Sequence, residues 1–176
     1  MNIWHDIESK RIAPEEFDAF IEISKGSKQK YEMDKKTGLL KLDRILYTST
    51  HYPANYGFIP RTYADDKDPL DVLVLFSPPL YPLTLCKVRP IGVVRMVDGG
   101  DIDDKIIAVL VNDPTSKDYH SVNDLPSHIF DEIMHFFKVY KQLENKKTAV
   151  KSLYDRDKAI EIIKQAIDDY EEKFTN

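Results

Sequence analysis

The sequence predicts an α+β fold, a small β barrel or sandwich with two amphipathic helices packed onto it. Two observations carry that prediction. Between about residues 19 and 111, short β-rich runs alternate with turn chemistry. After Pro126 the apolar period becomes helical. At 176 residues, 42% hydrophobic and 31% charged, the chain fits one domain spanning residues 1–176, and no repeat, low-complexity tract or composition break marks a linker.

Taken in order, Phe20-Ile21-Glu22-Ile23 is the first β-rich run. Gln29-Lys30-Tyr31-Glu32-Met33 and Leu39-Leu40-Lys41-Leu42 follow, joined through Asp34-Lys35-Lys36-Thr37-Gly38, a hairpin loop whose glycine supplies positive φ. Lys30 and Glu32 share a strand face. Arg44 falls on the parity of Leu40 and Leu42 if that strand is regular; facing inward, it needs an anionic partner, either a neighbour such as Glu32 or a bound phosphate. Val72-Leu73-Val74-Leu75-Phe76 and Ile106-Ile107-Ala108-Val109-Leu110-Val111 are the most apolar runs, and Ser77-Pro78-Pro79-Leu80-Tyr81-Pro82 between them is a rigid surface loop. Ile129, Ile133, Phe136, Tyr140 and Leu143 form one helical stripe, and Ile160, Ile163, Ile167, Tyr170 and Phe174 a second.

Composition narrows the function. A formal net charge of −5 argues against a protein held to nucleic acid by a dominant basic surface, yet permits anionic ligands where cations stand between them and clustered carboxylates. Cys86 is the lone cysteine, which suits a reducing compartment. No apolar run approaches the roughly 20 residues of a membrane span, and Met1-Asn2-Ile3-Trp4-His5-Asp6 lacks a basic signal-peptide start. The expectation is a cytoplasmic protein without membrane or nucleic-acid partners.

Two acidic clusters stand out. In Asp65-Asp66-Lys67-Asp68-Pro69-Leu70-Asp71, four carboxylates precede an apolar strand, and Pro69 rules out a regular helix. Asp66 and Asp68 project to one side of an extended chain, and a turn around Pro69 returns Asp71 toward them. Such carboxylates suit hard cations, magnesium in particular, although a solvated acidic loop has the same composition. The second cluster, Asp98-Gly99-Gly100-Asp101-Ile102-Asp103-Asp104-Lys105, also borders an apolar strand, as an acidic hairpin or as a facing set of ligands across a barrel mouth. The tyrosines of His51-Tyr52-Pro53-Ala54-Asn55-Tyr56-Gly57-Phe58-Ile59-Pro60 fit core packing or hydroxyl donors at a site. His128 and His135 read as helix surface or packing residues. No phosphate-loop, zinc-protease or nucleophile-elbow motif is present.

Tyr52-Pro53-Ala54-Asn55-Tyr56-Gly57-Phe58-Ile59-Pro60 followed by Asp66-Lys67-Asp68-Pro69-Leu70-Asp71-Val72 resembles the soluble family I inorganic pyrophosphatases of prokaryotic type. The resemblance continues through Ile21-Glu22-Ile23, Lys30-Tyr31-Glu32, Asp43-Arg44, Arg89-Pro90-Ile91-Gly92-Val93, residues 98–105, Asn123-Asp124-Leu125-Pro126, His135-Phe136-Phe137 and Tyr140-Lys141. It implies a five-stranded, OB-like barrel flanked by helices. It also implies a homohexamer that hydrolyses pyrophosphate to two orthophosphates with several Mg2+, by in-line attack of a metal-bridged hydroxide. By the same resemblance Asp66, Asp71 and Asp103 ligate the first metals, Asp98 with Asp103 a further one, and Glu22 assists. Asp68 is the general base. Lys30, Arg44, Tyr56, Lys105, Tyr140 and Lys141 take the phosphate-contacting positions, with Glu32 and Tyr52 in support; Tyr140 also lies on the apolar stripe, which allows a packing role.

One position departs from the family pattern, which places a small or acidic residue where this chain has Lys67. An added cation there either weakens metal binding nearby or is carried into solvent by its long stem, leaving the backbone undisturbed if φ there is ordinary. A non-catalytic OB-type module for single-stranded nucleic acid is the alternative from another class; the net acidity and dense aspartates weigh against it.

Overall fold

β-rich runs, turn residues and helical stripes divide the described residues, 1–175 of the computed structural model, into nine strands and three α-helices. In chain order these are helix α1 (Ile3–Asp6) and strands β1 (Ile12–Ala13), β2 (Glu16–Ile23), β3 (Gln29–Met33), β4 (Leu40–Ile45), β5 (Asn55–Phe58), β6 (Asp71–Leu75), β7 (Thr84–Asp98) and β8 (Asp101–Leu110). Helix α2 (Ser127–Val139), strand β9 (Thr148–Asp155) and helix α3 (Arg156–Phe174) follow.

Five strands close into a ring: β2 pairs with β5, β5 with β6, β6 with β8, β8 with β7, and β7 returns to β2. Closure satisfies the backbone groups that an open sheet leaves at its edges. The five-stranded barrel flanked by helices is therefore present, with β1 extending from β2 and β9 from β7. The β3–β4 hairpin forms a separate two-stranded sheet.

Only the β6–β8 pair of the ring is parallel, and its register sets Asp71 opposite Lys105. Both strands are buried on both faces, as their unbroken apolar sequences require. Alternation then sorts their residues. Leu73, Leu75, Ile107 and Val109 pack with Phe130, Ile133, Phe136 and Phe137 of α2, whereas Val72, Val74, Ile106 and Ala108 pack with Ala159, Ile163 and Ala166 of α3. Asp71, Asp103 and Lys105 continue the first of these parities.

Four sequence expectations need correction. Helix α2 ends at Val139, so Leu143 falls in a following 3-10 turn and is 65% exposed. The β4 face that carries Arg44 is not an apolar interior: Leu42 is 50% exposed, because β4 pairs only with β3 in a separate two-stranded sheet, and it is β3, through Met33, that packs on the barrel. The turn in the acidic loop precedes Pro69, closing where Lys67 N–H donates to Ala64 C=O at 2.9 Å. Lys67 itself has φ of 69°, so the ordinary backbone assumed for it does not hold.

Candidate active site

The parallel register brings the two acidic clusters to one place. Asp71 begins β6, the Asp98–Asp101 turn joins β7 to β8, and Asp103 and Lys105 sit on β8 beside it. Gly99 and Gly100, with φ of 59° and 91°, make that two-residue turn. A cleft of about 670 Å3 opens there, lined by eight carboxylates and six lysines. Glu22, Lys30, Glu32, Tyr52, Tyr56, Asp66, Asp68, Asp71, Asp98, Asp103, Lys105, Tyr140 and Lys141 all line it. Of the residues assigned a catalytic, metal-binding, phosphate-contacting or supporting role from sequence, Arg44 alone does not. It turns instead to Glu144, at 2.7 Å, and Asp43, at 2.5 Å, which answers its need for an anion without Glu32.

Lys105 is the hub. Its side chain is 4% exposed, and its ammonium donates to Asp71 Oδ2 at 2.5 Å, to Asp103 Oδ1 and Oδ2 at 2.8 and 2.9 Å, and to the Tyr56 hydroxyl at 2.9 Å. Burial alone would lower the Lys105 pKa, but Asp71, Tyr56 and Asp103 outweigh it and hold the ammonium charged. Lys141 pairs with Asp98; against the lowering effect of burial, Tyr140 and Asp98 raise it. Lys30 reaches Asp43 at 3.2 Å and Glu32 at 3.7 Å, so the shared β3 face of Lys30 and Glu32 holds. Tyr52 and Tyr56 stay protonated as donors because burial pushes both phenols up.

Six lysines do not satisfy these carboxylates. Glu22 is buried and accepts the Met33 N–H at 2.8 Å; burial foremost, with Asp71 adding, pushes its carboxyl to about 8. Asp66 rises to about 6, through burial and then the Asp71 charge. Asp103 is also held above the usual carboxylate range by burial, with Asp71 adding and Lys105 opposing. Among the described residues no group of three or more ligand-type side chains is arranged to hold a metal ion, and the Lys105 ammonium lies between Asp71 and Asp103. The donor set nevertheless fits hard divalent ions: oxygen ligands of excess negative charge, partly desolvated, that repel one another until a cation arrives.

Lys35, Lys36 and Lys41 of the β3–β4 hairpin line the cleft without having been singled out, and Lys35 pairs with Asp68. The loop reads as an ordinary turn in sequence; its run of lysines, opposite a run of aspartates, was the available signal. Asp104, on the other face of β8, is instead clamped by Arg95 through two 2.8 Å bonds.

Desolvated carboxylates ringed by ammonium and phenol donors at a barrel mouth make up a centre suited to a small, highly charged anion. The family model for inorganic pyrophosphatase matches residues 19–171. The chain is 50% identical over 169 residues to soluble inorganic pyrophosphatase 1 of Arabidopsis thaliana, covering 96% of this chain and 80% of that protein. The inorganic pyrophosphatase structure from Thermus thermophilus superposes with a TM-score of 0.92 at 38% identity, covering 97% of this chain and 99% of that one. The Helicobacter pylori inorganic pyrophosphatase gives 0.90 at 40% identity, covering 94% and 99%. This chain belongs to the inorganic pyrophosphatase family, and it is an enzyme, an inorganic diphosphatase. No helix among the described residues is long and apolar enough to cross a membrane.

Proposed function

We propose that the chain, as one pyrophosphatase domain over residues 1–176, hydrolyses inorganic pyrophosphate to two orthophosphates by in-line attack of water, with Mg2+ as its cofactor. The observation that carries this reading is the convergence of Glu22, Asp66, Asp71, Asp98 and Asp103 on one cleft, where burial first and the Asp71 charge next hold Glu22, Asp66 and Asp103 above the ordinary carboxylate range. Asp66, Asp71, Asp98 and Asp103, with Glu22 directly or through water, would hold the metals. When bound there, Mg2+ would polarise phosphoryl oxygens and acidify the attacking water.

The chain's own groups perform the remaining tasks. Asp68, half exposed at the mouth, accepts the proton of the attacking water. Lys105 and Tyr56 donate from the floor, and Lys30, Tyr140 and Lys141 from the walls, neutralising charge on both phosphoryl groups as the bridging bond breaks. Arg44 pairs with Glu144 and Asp43, and Asp43 also holds Lys30, so Arg44 orients Asp43 beside Lys30 and would have to turn toward the cleft to contact a phosphate. Glu32 and Tyr52 support Lys30 and the aromatic wall.

Phosphate release from pyrophosphate, followed while free Mg2+ is varied and then chelated, tests substrate class and cofactor together. No release at saturating Mg2+ sinks the reading. The resemblance to prokaryotic members adds a cytoplasmic homohexamer, which light scattering and cell fractionation check.

A further inference from the structure

The first six residues tie together the two segments that flank the cleft mouth. Trp4 is buried, and its indole donates to Thr62 C=O at 2.8 Å. The Thr62 hydroxyl in turn accepts the Leu70 N–H at 2.9 Å, and the Arg61 N–H donates to Trp4 C=O at 2.9 Å. Both ends of the loop carrying Asp66 and Asp68 are thus anchored near the same indole. On the opposite side, Asn2 Nδ2 donates to Lys35 C=O at 3.1 Å, and the Lys35 ammonium lies 5.2 Å from the Trp4 ring centroid. Gly38, at φ of 73°, packs so closely that a Cβ there would meet Met1 C=O at 2.3 Å. The hairpin tip is therefore seated on the N-terminal backbone.

Seated this way, Lys35 meets Asp68 across 33 residues of sequence. Both side chains are about half exposed, at 46% and 52%, so their pairing contributes little to stability. A weak, solvent-accessible pair at a binding mouth exchanges readily, and a multiply charged phosphate is a stronger acceptor than one carboxylate.

We propose that Lys35 is a further phosphate-contacting residue, positioned by Asn2 and Trp4. It pairs with Asp68 in the substrate-free enzyme and passes to a phosphate oxygen as pyrophosphate enters, which frees Asp68 for the attacking water. The assignment rests on the pyrophosphatase reading above.

Steady-state hydrolysis at fixed free Mg2+ tests it by separating KM from kcat. Lys35→Met is expected to raise KM about tenfold, the loss of one charge-assisted contact, with kcat changing by less than about threefold. Lys35→Arg keeps the charge and holds KM within about threefold of the parent enzyme. Asn2→Ala, which removes the bond to Lys35 C=O and the cap on the Trp4 N–H without touching the cleft, raises KM about two- to fivefold. The kcat/KM of Lys35→Met also falls less steeply with ionic strength, a readout that a merely structural role would not move. Lys35 is exposed and Asn2 half-buried, and melting curves check that each variant folds. A Lys35→Met KM within about twofold of the parent, or a fall in kcat at unchanged KM, overturns the assignment and leaves the diphosphatase reading standing. If the parent enzyme itself releases no phosphate, the diphosphatase reading fails, and the Lys35 assignment with it.

Discussion

Replacing Lys67 by glycine should stabilise the enzyme and leave its metal requirement almost untouched. Lys67 sits at φ of 69°, its N–H closes the turn onto Ala64, and its side chain is exposed outside the cleft. A residue with a Cβ costs about 1–2 kcal/mol in the left-handed region, and the greater freedom of glycine in the unfolded chain offsets about 0.4–1 kcal/mol of the relief. The net gain is about 0.5–1 kcal/mol, or a Tm increase of about 1–4 °C for a chain of this size. Differential scanning calorimetry of the metal-free protein measures it, alongside a Mg2+ titration of activity whose midpoint should move less than about twofold. An unchanged or lower Tm would mean that the turn does not strain lysine. A larger Mg2+ shift would mean that its ammonium acts on Asp66 or Asp68 after all. Arg61 is also left-handed, at φ of 55°, but its guanidinium bonds His5 C=O at 3.2 Å and Glu171 at 2.8 Å, so Arg61→Gly should destabilise.

Mg2+ binding should release protons, because carboxyls protonated in the metal-free state must ionise to act as ligands. With Glu22 at about 8 and Asp66 at about 6, Mg2+ affinity should fall as pH drops through 8 and again through 6. Calorimetry in buffers of different ionisation enthalpy should find close to one proton released per site at pH 7 and almost none at pH 9.5. The raised Glu22 also predicts that the metal-free enzyme loses stability as pH rises from its ordinary 4.5 toward 8, since folding favours the protonated form; a melting temperature flat over that window argues against it. Asp68→Asn should retain the native circular dichroism while turnover falls by about 10² or more, and unchanged turnover would remove the base assignment. Lys105→Met strips the buried partner from Asp71 and Asp103 and should cost about 3–5 kcal/mol without metal. Saturating Mg2+ should restore part of that loss in a thermal melt, and no recovery would count against a cation site there.

Features governed by neighbouring residues were legible in the sequence. The hairpin around Asp34-Lys35-Lys36-Thr37-Gly38, the two amphipathic helices and both acidic clusters each follow from local turn chemistry or periodicity, and each is present, although the first helical stripe stops short of Leu143. Contacts made across the fold were not. Strand β9 is a half-exposed outer strand of mixed polarity whose alternation is too faint to separate from a loop. The partner of Arg44 is Glu144, brought in by a 3-10 turn far along the chain, and no strand parity foretells it. Lys67 hides its constraint for a different reason: left-handed φ is invisible when the residue is not glycine. Lys35 carries no sequence signal of its own, because a turn composition explains it fully and its position depends on the N-terminal segment beneath it.

The single parallel pair in the ring also dictates when the centre can form during folding. Most of the barrel consists of antiparallel neighbours, but β6 and β8 meet only after the long β7 has gone out and β8 has turned back along it, which brings Asp71 to Lys105 across 34 residues. Contacts of that sequence separation form late, because loop entropy is lost before the pairing compensates. A partly folded chain lacking β8 would therefore hold neither Asp103 nor Lys105 beside Asp71, and would have little affinity for cations. Mg2+ would act as a native-state clamp, slowing unfolding while leaving the early steps of refolding unchanged.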